Sequence, residues 1–347
     1  MTAFKREKSG EKLRPDAGIA IIYVAVFLLS SLWFVSLALD MGKLMATRTE
    51  LQRAADAAAL AGASAIDPTT GDVVQDSARV RAAQTAVQNN ALQETAVPVV
   101  IDPDGDVDFP TPARVRVRVH REDATGNPMT TIFAQTLGIN TLDVTADATA
   151  EAQKLTSICE GLAPFAPVED RPFSTQCDSI YDLKVGAGQS EDGNFQLLDF
   201  PPCEEGPCAD VGGGAAAIAC YTRYGYGCCI SIGTEFVFTE PGNKVGPLSS
   251  ALRDRWDADS DRRDVCYQEY TGDRSRVLTV PIVETFDVNG KKLVRVKGFA
   301  AFFLRERPGQ GGQNSFARGQ FINYVAPGEP GPNPPPDAMV FGVHLVE

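Results

Sequence analysis

The chain has 347 residues, with 45 acidic side chains against 32 basic, a formal net charge of −13 and a pI near 4.7. No basic patch offsets that balance, which excludes nucleic acid as a partner class and points to a self-repelling, water-facing exterior. Two histidines, and no HExxH, GxSxG or Walker-type glycine loop, argue against an enzyme. Neither a cofactor nor a small-molecule substrate is expected.

Residues 1–16 carry Lys5, Arg6, Lys8, Lys12 and Arg14. Residues 17–39, AGIAIIYVAVFLLSSLWFVSLAL, contain no charge, and at about 1.5 Å per residue such a helix crosses a hydrocarbon core of roughly 30 Å. A single membrane span is expected, held by membrane lipid. The Lys/Arg bias places the 1–16 tail in the cytoplasm and the remainder across the membrane. The uncharged core exceeds the roughly 7–15 residues of a signal-peptide h-region, so an uncleaved anchor is expected.

Behind the span, DMGKLMATRTELQRAADAAALAGASA holds good helix formers and no proline, so the helix should continue to about residue 65. Leu37, Met41, Leu44, Leu51, Ala55, Ala58 and Gly62 recur at three-four spacing, interrupted only by Arg48, and form one apolar stripe. Such a helix, about 73 Å long, would stand half in lipid and half against a water-facing domain, the architecture of pilins and pseudopilins. Its Ala/Gly face over 54–65 lets another backbone approach closely.

The run Leu39, Asp40, Met41, Gly42, then Arg48, then LQRAADAAALAGA over 51–63 closely resembles the N-terminal signature of TadG-like proteins, in the TadE/TadG-like group associated with Flp pilus assembly by the tight-adherence secretion system. The resemblance implies an assembly or packing role for Asp40, Gly42, Leu51, Gln52, Ala55, Asp56, Ala58, Ala59 and Gly62. It also implies other pilus-assembly or pseudopilin-like proteins as partners. Related pilins are cut after a Gly followed by Glu-Tyr, whereas Gly18 here precedes IAIIY with Ile22 before Tyr23, which again fits an uncut anchor. Some TadG-like proteins carry a von Willebrand type A domain, but no DxSxS motif occurs here.

DPTTGD should end the long helix. A second helix is expected over 76–93 and a strand at 97–101. RVRVRVH (114–120) should be a half-buried strand with Val115, Val117 and Val119 inward and the arginines and His120 outward. A short helix is expected over 130–138, ending at Gly138, and an alternating strand over 141–152. Together 40–152 read as a pilin-like α+β domain; the stretch from the arginine strand to 152 also resembles the TadG-like pattern.

Beyond 153, Cys, Gly and Pro become frequent, and helical patterning survives only near 247–256. Strands are expected at 234–239, 276–283, 292–304, 319–325 and 339–346, with a semi-rigid loop over 327–337. GNFQLLDF, EPGNKVGP and VKGFAAFFL in this part also resemble membrane-anchored TadG-like proteins. Cys159, Cys177, Cys203, Cys208, Cys220, Cys228, Cys229 and Cys266 lack a CxxC pair and a nearby His, so disulfides of an exported domain are favoured over zinc, with connectivity open. GGGAAA at 212–217 lacks the Lys-Ser/Thr of a phosphate loop and reads as a flexible turn. DPDGDVD (102–108) and DADSD (257–261) alternate carboxylates as calcium loops do, without an EF-hand's distal Glu, and read as Asp-rich turns. Asp56, among alanines, should lie on the wet face of the helix or pair with Arg53 or an arginine of the sheet.

The expected fold class is α+β. A transmembrane helix (17–39) continues into a long pilin-like helix on a small sheet (40–152), followed by a β-rich, disulfide-containing domain (153–347). The expected protein is a non-enzymatic, single-pass protein of the bacterial inner membrane that assembles or anchors Flp pili. The alternative is an exported structural or adhesive protein outside any pilus machine.

Overall fold

The computed structural model describes residues 16–88, 101–167, 173–184, 194–233, 236–242, 244–285, 290–309 and 317–346. The first element, α1 (Asp16–Ala63), is one unbroken helix of 48 residues, as its composition requires. It ends where Ala65 N–H donates to the Gly62 carbonyl at 3.0 Å, and Asp67 accepts the amides of Thr69 and Thr70 at 2.6 and 2.9 Å. Gly71, at φ 82°, completes that turn in the left-handed region glycine favours.

Helix α2 (Gln75–Gln88) starts where expected; residues 89–93 of that expected helix, and 97–100 of the strand placed after it, lie outside the described residues. Strand β1 (Val107–Thr111) pairs antiparallel with β2 (Arg114–Arg121). On β2 Val115, Val117 and Val119 are buried and Arg116 and Arg118 exposed. The alternation stops at His120, which is buried rather than facing out with the arginines. The chain folds over this end, with Arg121 donating to the carbonyls of Asn127 and Pro128.

Strands β3 (Met129–Thr130) and β4 (Thr141–Leu142) form a small antiparallel ladder. Between them the expected helix over 130–138 is only a 3-10 turn, Ala134–Leu137, closed by Gly138 at φ 87°. Strand β5 (Val144–Ile158) outruns the expected 141–152 segment, so residue 153 falls inside a strand.

Beyond it come β6 (Tyr181–Lys184), β7 (Asn194–Asp199), α3 (Ala215–Tyr224), β8 (Ile230–Ser231), β9 (Phe236–Pro241), α4 (Val245–Ala258), β10 (Val277–Val283), β11 (Leu293–Leu304), β12 (Ala317–Ile322), β13 (Tyr324–Val325), β14 (Glu329–Pro330) and β15 (Val340–Val346). Helix α3 corrects the expectation of a flexible turn through 217. AAAIACY has the propensity for a helix, and its residues Ala217, Ile218 and Tyr221 are buried.

One sheet runs β1-β2-β5-β15-β13, with β8 and β14 also pairing with β5. The late strand β15 lies antiparallel to β5, Phe341 opposite Lys154 through Val346 opposite Thr149. The other large sheet runs β6-β12-β11-β9-β7, with β10 against β11. Strand β11 is buried on both faces along GFAAFFL, so it reads as an apolar run rather than an alternation. Phe299, Ala301 and Phe303 join one core cluster with Leu155, Ile158 and Val340. Ala300, Phe302 and Leu304 join another with Leu248, Leu252 and Trp256 of α4.

The chain divides into two compact units. The first comprises Met1–Ala55, Ala86–Ile101 and Arg118–Asp147, the second Asp56–Thr85, Asp102–Val117 and Ala148–Glu347. All eight cysteines are paired within the second unit: Cys159–Cys229, Cys177–Cys266, Cys203–Cys228 and Cys208–Cys220. The longest closed loops separate their cysteines by 89 and 70 residues, the spans for which a cross-link removes most entropy from the unfolded chain.

Candidate functional site

Two solvation regimes meet on α1. From Ile19 onward the helix is long and apolar enough to cross a membrane, and its large side chains are exposed, Phe34 at 75% and Leu32 at 62%. At Asp40 this changes abruptly: its side chain is buried, at 6% exposure. Its carboxylate accepts three consecutive amides, from Ile132 at 2.7 Å, Phe133 at 3.0 Å and Ala134 at 2.7 Å. These are the donors left open at the start of the 3-10 turn, so Asp40 acts as a cap supplied from 92 residues away in sequence. The Ile132 amide foremost, with those of Ala134 and Phe133 and the charge of Lys43, holds the carboxyl below the usual carboxylate range, against the opposing pull of burial. One helical turn on, Lys43 Nζ donates to the Thr130 carbonyl at 2.9 Å and its hydroxyl at 3.2 Å. Thr47 is fully buried, its hydroxyl 3.5 Å from Met129 Sδ.

Leu51, Ala55, Ala58 and Ala59 are fully buried, and Gly62 is buried as well. A Cβ added at Gly62 would lie 3.0 Å from Val115 Cγ1 and 3.4 Å from the Ala78 carbonyl oxygen, so the helix approaches its neighbours closely there and a side chain would have to displace Val115. The inward face therefore runs through Asp40, Thr47, Leu51, Ala54, Ala58 and Gly62. It begins with two polar residues, where apolar periodicity pointed to Leu37 and Met41, both of which are exposed. Gly42 is exposed with open space around it. Gln52 is exposed and donates to the Asp147 carbonyl at 3.0 Å, and Asp56 is half-buried.

The two acidic runs are occupied by the protein itself. In DADSD, Asp257 meets Arg307 at 2.6 Å, Asp261 meets Arg263 at 2.7 Å, and Asp259 faces the fully buried Arg276 at 3.9 Å. The Arg276 guanidinium lies over Trp256, Phe303 and Tyr270, 4.3, 4.6 and 4.9 Å from their ring centres. Three carboxylates committed to three arginines are ion-pair members rather than calcium ligands. In DPDGDVD, Asp102 accepts the Asp104 amide at 3.1 Å and Asp106 that of Asp102 at 2.7 Å, the bonding of Asx turns.

Local patterning did not reveal the loop Asp40 holds. Ile132, Phe133, Leu137 and Ile139 there are exposed at 47, 38, 63 and 47%. The signal present in the sequence was four apolar residues within eight positions of an otherwise polar connection.

Residues 18–65 match a family model described as "Putative Flp pilus-assembly TadE/G-like". No curated protein and no solved structure matches the chain. The matched stretch coincides with α1 and contains Asp40, the buried Leu51–Gly62 face and the apolar half, so the similarity to that family rests on this segment.

Proposed function

We propose that the protein is a membrane-anchored, non-enzymatic component of Flp pilus assembly. Residues 17–39 are its span in the bacterial inner membrane, residues 1–16 lie in the cytoplasm, and the chain beyond Asp40 stands on the periplasmic side. One observation carries this reading: the family match over 18–65 falls on a single helix that is exposed and apolar before Asp40 and carries a buried face, through Thr47, Leu51, Ala54, Ala58 and Gly62, after it. Four disulfides in the second unit support export to an oxidising compartment.

The burial of Ala55, Ala58, Ala59 and Gly62 bears on how the protein meets its partners. These residues stabilise the protein's own fold, so the pilus machinery engages other surfaces. The test is a count of surface pili by electron microscopy in a deletion strain, complemented by the full chain or by a chain lacking residues 17–39, with blots for protein level. Pili should vanish on deletion and return only with the anchored chain. Normal piliation in the deletion strain overturns the proposal.

A further inference from the structure

We propose that the loop 131–140 is a membrane foot: Ile132, Phe133, Leu137 and Ile139 enter the leaflet beside the span, and lipid acyl chains fill the groove between the loop and α1. The inference rests on residues 17–39 being a span. The groove holds about 360 Å³ and is lined by Leu29, Trp33, Leu37, Phe133, Leu137 and Asp40, among others. One wall is the apolar half of α1 itself, so whatever bathes the span also bathes the groove.

Hydrocarbon requires of any backbone immersed in it that polar groups be satisfied within the protein, and seven amides of the loop have partners of that kind. The amides of Ile132, Phe133 and Ala134 donate to Asp40. Those of Thr131, Thr136, Gly138 and Ile139 donate to the carbonyls of Asn140, Phe133, Gln135 and Ala134. Three polar side chains bond to the loop's own carbonyls: Thr131 donates to Ile139 O at 2.6 Å, Gln135 to Ile132 O at 2.7 Å and Thr136 to Phe133 O at 2.7 Å. A loop lying in water has no need for this internal closure, because water would satisfy the same groups. Lys43, bonded to Thr130, sets a cation beside the foot, where it suits the headgroup layer. The Asp40 carboxylate accepts three amides, at Oδ1 from Ile132 and at Oδ2 from Phe133 and Ala134, which offsets much of its loss of water.

The experiment uses the full-length protein in phosphatidylcholine vesicles whose acyl chains carry bromine, a quencher of tryptophan. The chain has two tryptophans: Trp33 reports on the span, and the buried Trp256 of the second unit supplies a constant background. Leu137→Trp and, separately, Ile139→Trp are placed in a Trp33→Phe chain. Both added tryptophans should lose most of their emission in brominated vesicles and resist aqueous iodide. If Trp33 is quenched by bromine while the loop tryptophans are quenched by iodide, the span stands and the foot is wrong. If the loop tryptophans resist both quenchers, protein rather than lipid fills the groove and the proposal fails. If Trp33 itself escapes bromine, the span fails and the foot with it.

Discussion

On either side of Asp40, one helix places its apolar residues in opposite surroundings. Before it, bulky side chains such as Phe34 and Leu32 are exposed; after it, Ala55, Ala58 and Ala59 are wholly buried. Size accounts for the difference. Large apolar groups maximise contact with a fluid medium that conforms to them, whereas small ones let packed neighbours approach as closely as Val115 does to Gly62. Hydropathy alone would rank the first half as the better core, and that half is the one whose large side chains are exposed.

The largest effect should come from treating the two halves alike. Leu51→Ala removes a fully buried side chain and should cost about 2–5 kcal/mol of folding stability, while Leu37→Ala, 61% exposed, should stay within about 0.5 kcal/mol. Thermal unfolding of the detergent-solubilised variants measures both; equal losses would erase the distinction. Next, Ala58→Leu overpacks a fully buried site and should cost roughly 1–3 kcal/mol, read as a lower melting temperature and less protein in the membrane fraction. A stable Ala58→Leu protein that lacks pili would instead place a partner on that face.

The tether at Asp40 sharpens the comparison at its boundary. Its folded carboxyl lies below the ordinary value of 3.8, so its stabilisation is complete above that pH and is lost as pH falls through the lower folded value. Hydrogen exchange of the Ile132, Phe133 and Ala134 amides, corrected for the intrinsic pH dependence, should show unchanged protection from neutral pH to about 5 and weaken only below 3.8. In Asp40→Asn these three amides should exchange faster already at neutral pH, with the β5–β15 pairing unaffected. The smallest effect belongs to Gln52→Ala, which removes one exposed bond to the Asp147 carbonyl and should cost no more than about 0.5–1 kcal/mol.

What could be read from the sequence was what is local. The unbroken α1, the valine face of β2 and the run of β11 follow from propensity and periodicity within a few residues of each position. The acceptor for the loop amides lies 92 to 94 residues before them, and no local pattern announces it. The same limit hid the arginines opposite Asp257 and Asp259, Arg307 and Arg276, the pairing of β15 with β5 and the connectivity of the eight cysteines. Helix α3 was obscured differently, because the glycines of GGGAAA outweighed the alanines that follow. Of the TadG-like signature, the burial of Ala55, Ala58, Ala59 and Gly62 was legible as small-residue packing, whereas the burial of Asp40 and the exposure of Gly42 and Gln52 were not.

The central claim is that the exposed half of α1 crosses a membrane and leaves its ends on opposite sides. Reporter fusions in cells test it most directly, with a periplasm-active phosphatase joined at residue 14 or after the last residue and the fractions washed with alkaline carbonate. The expected result is activity only from the C-terminal fusion, with the protein retained in the carbonate-washed membranes. Activity from the residue-14 fusion instead, or release of the uncleaved chain by carbonate, would contradict it.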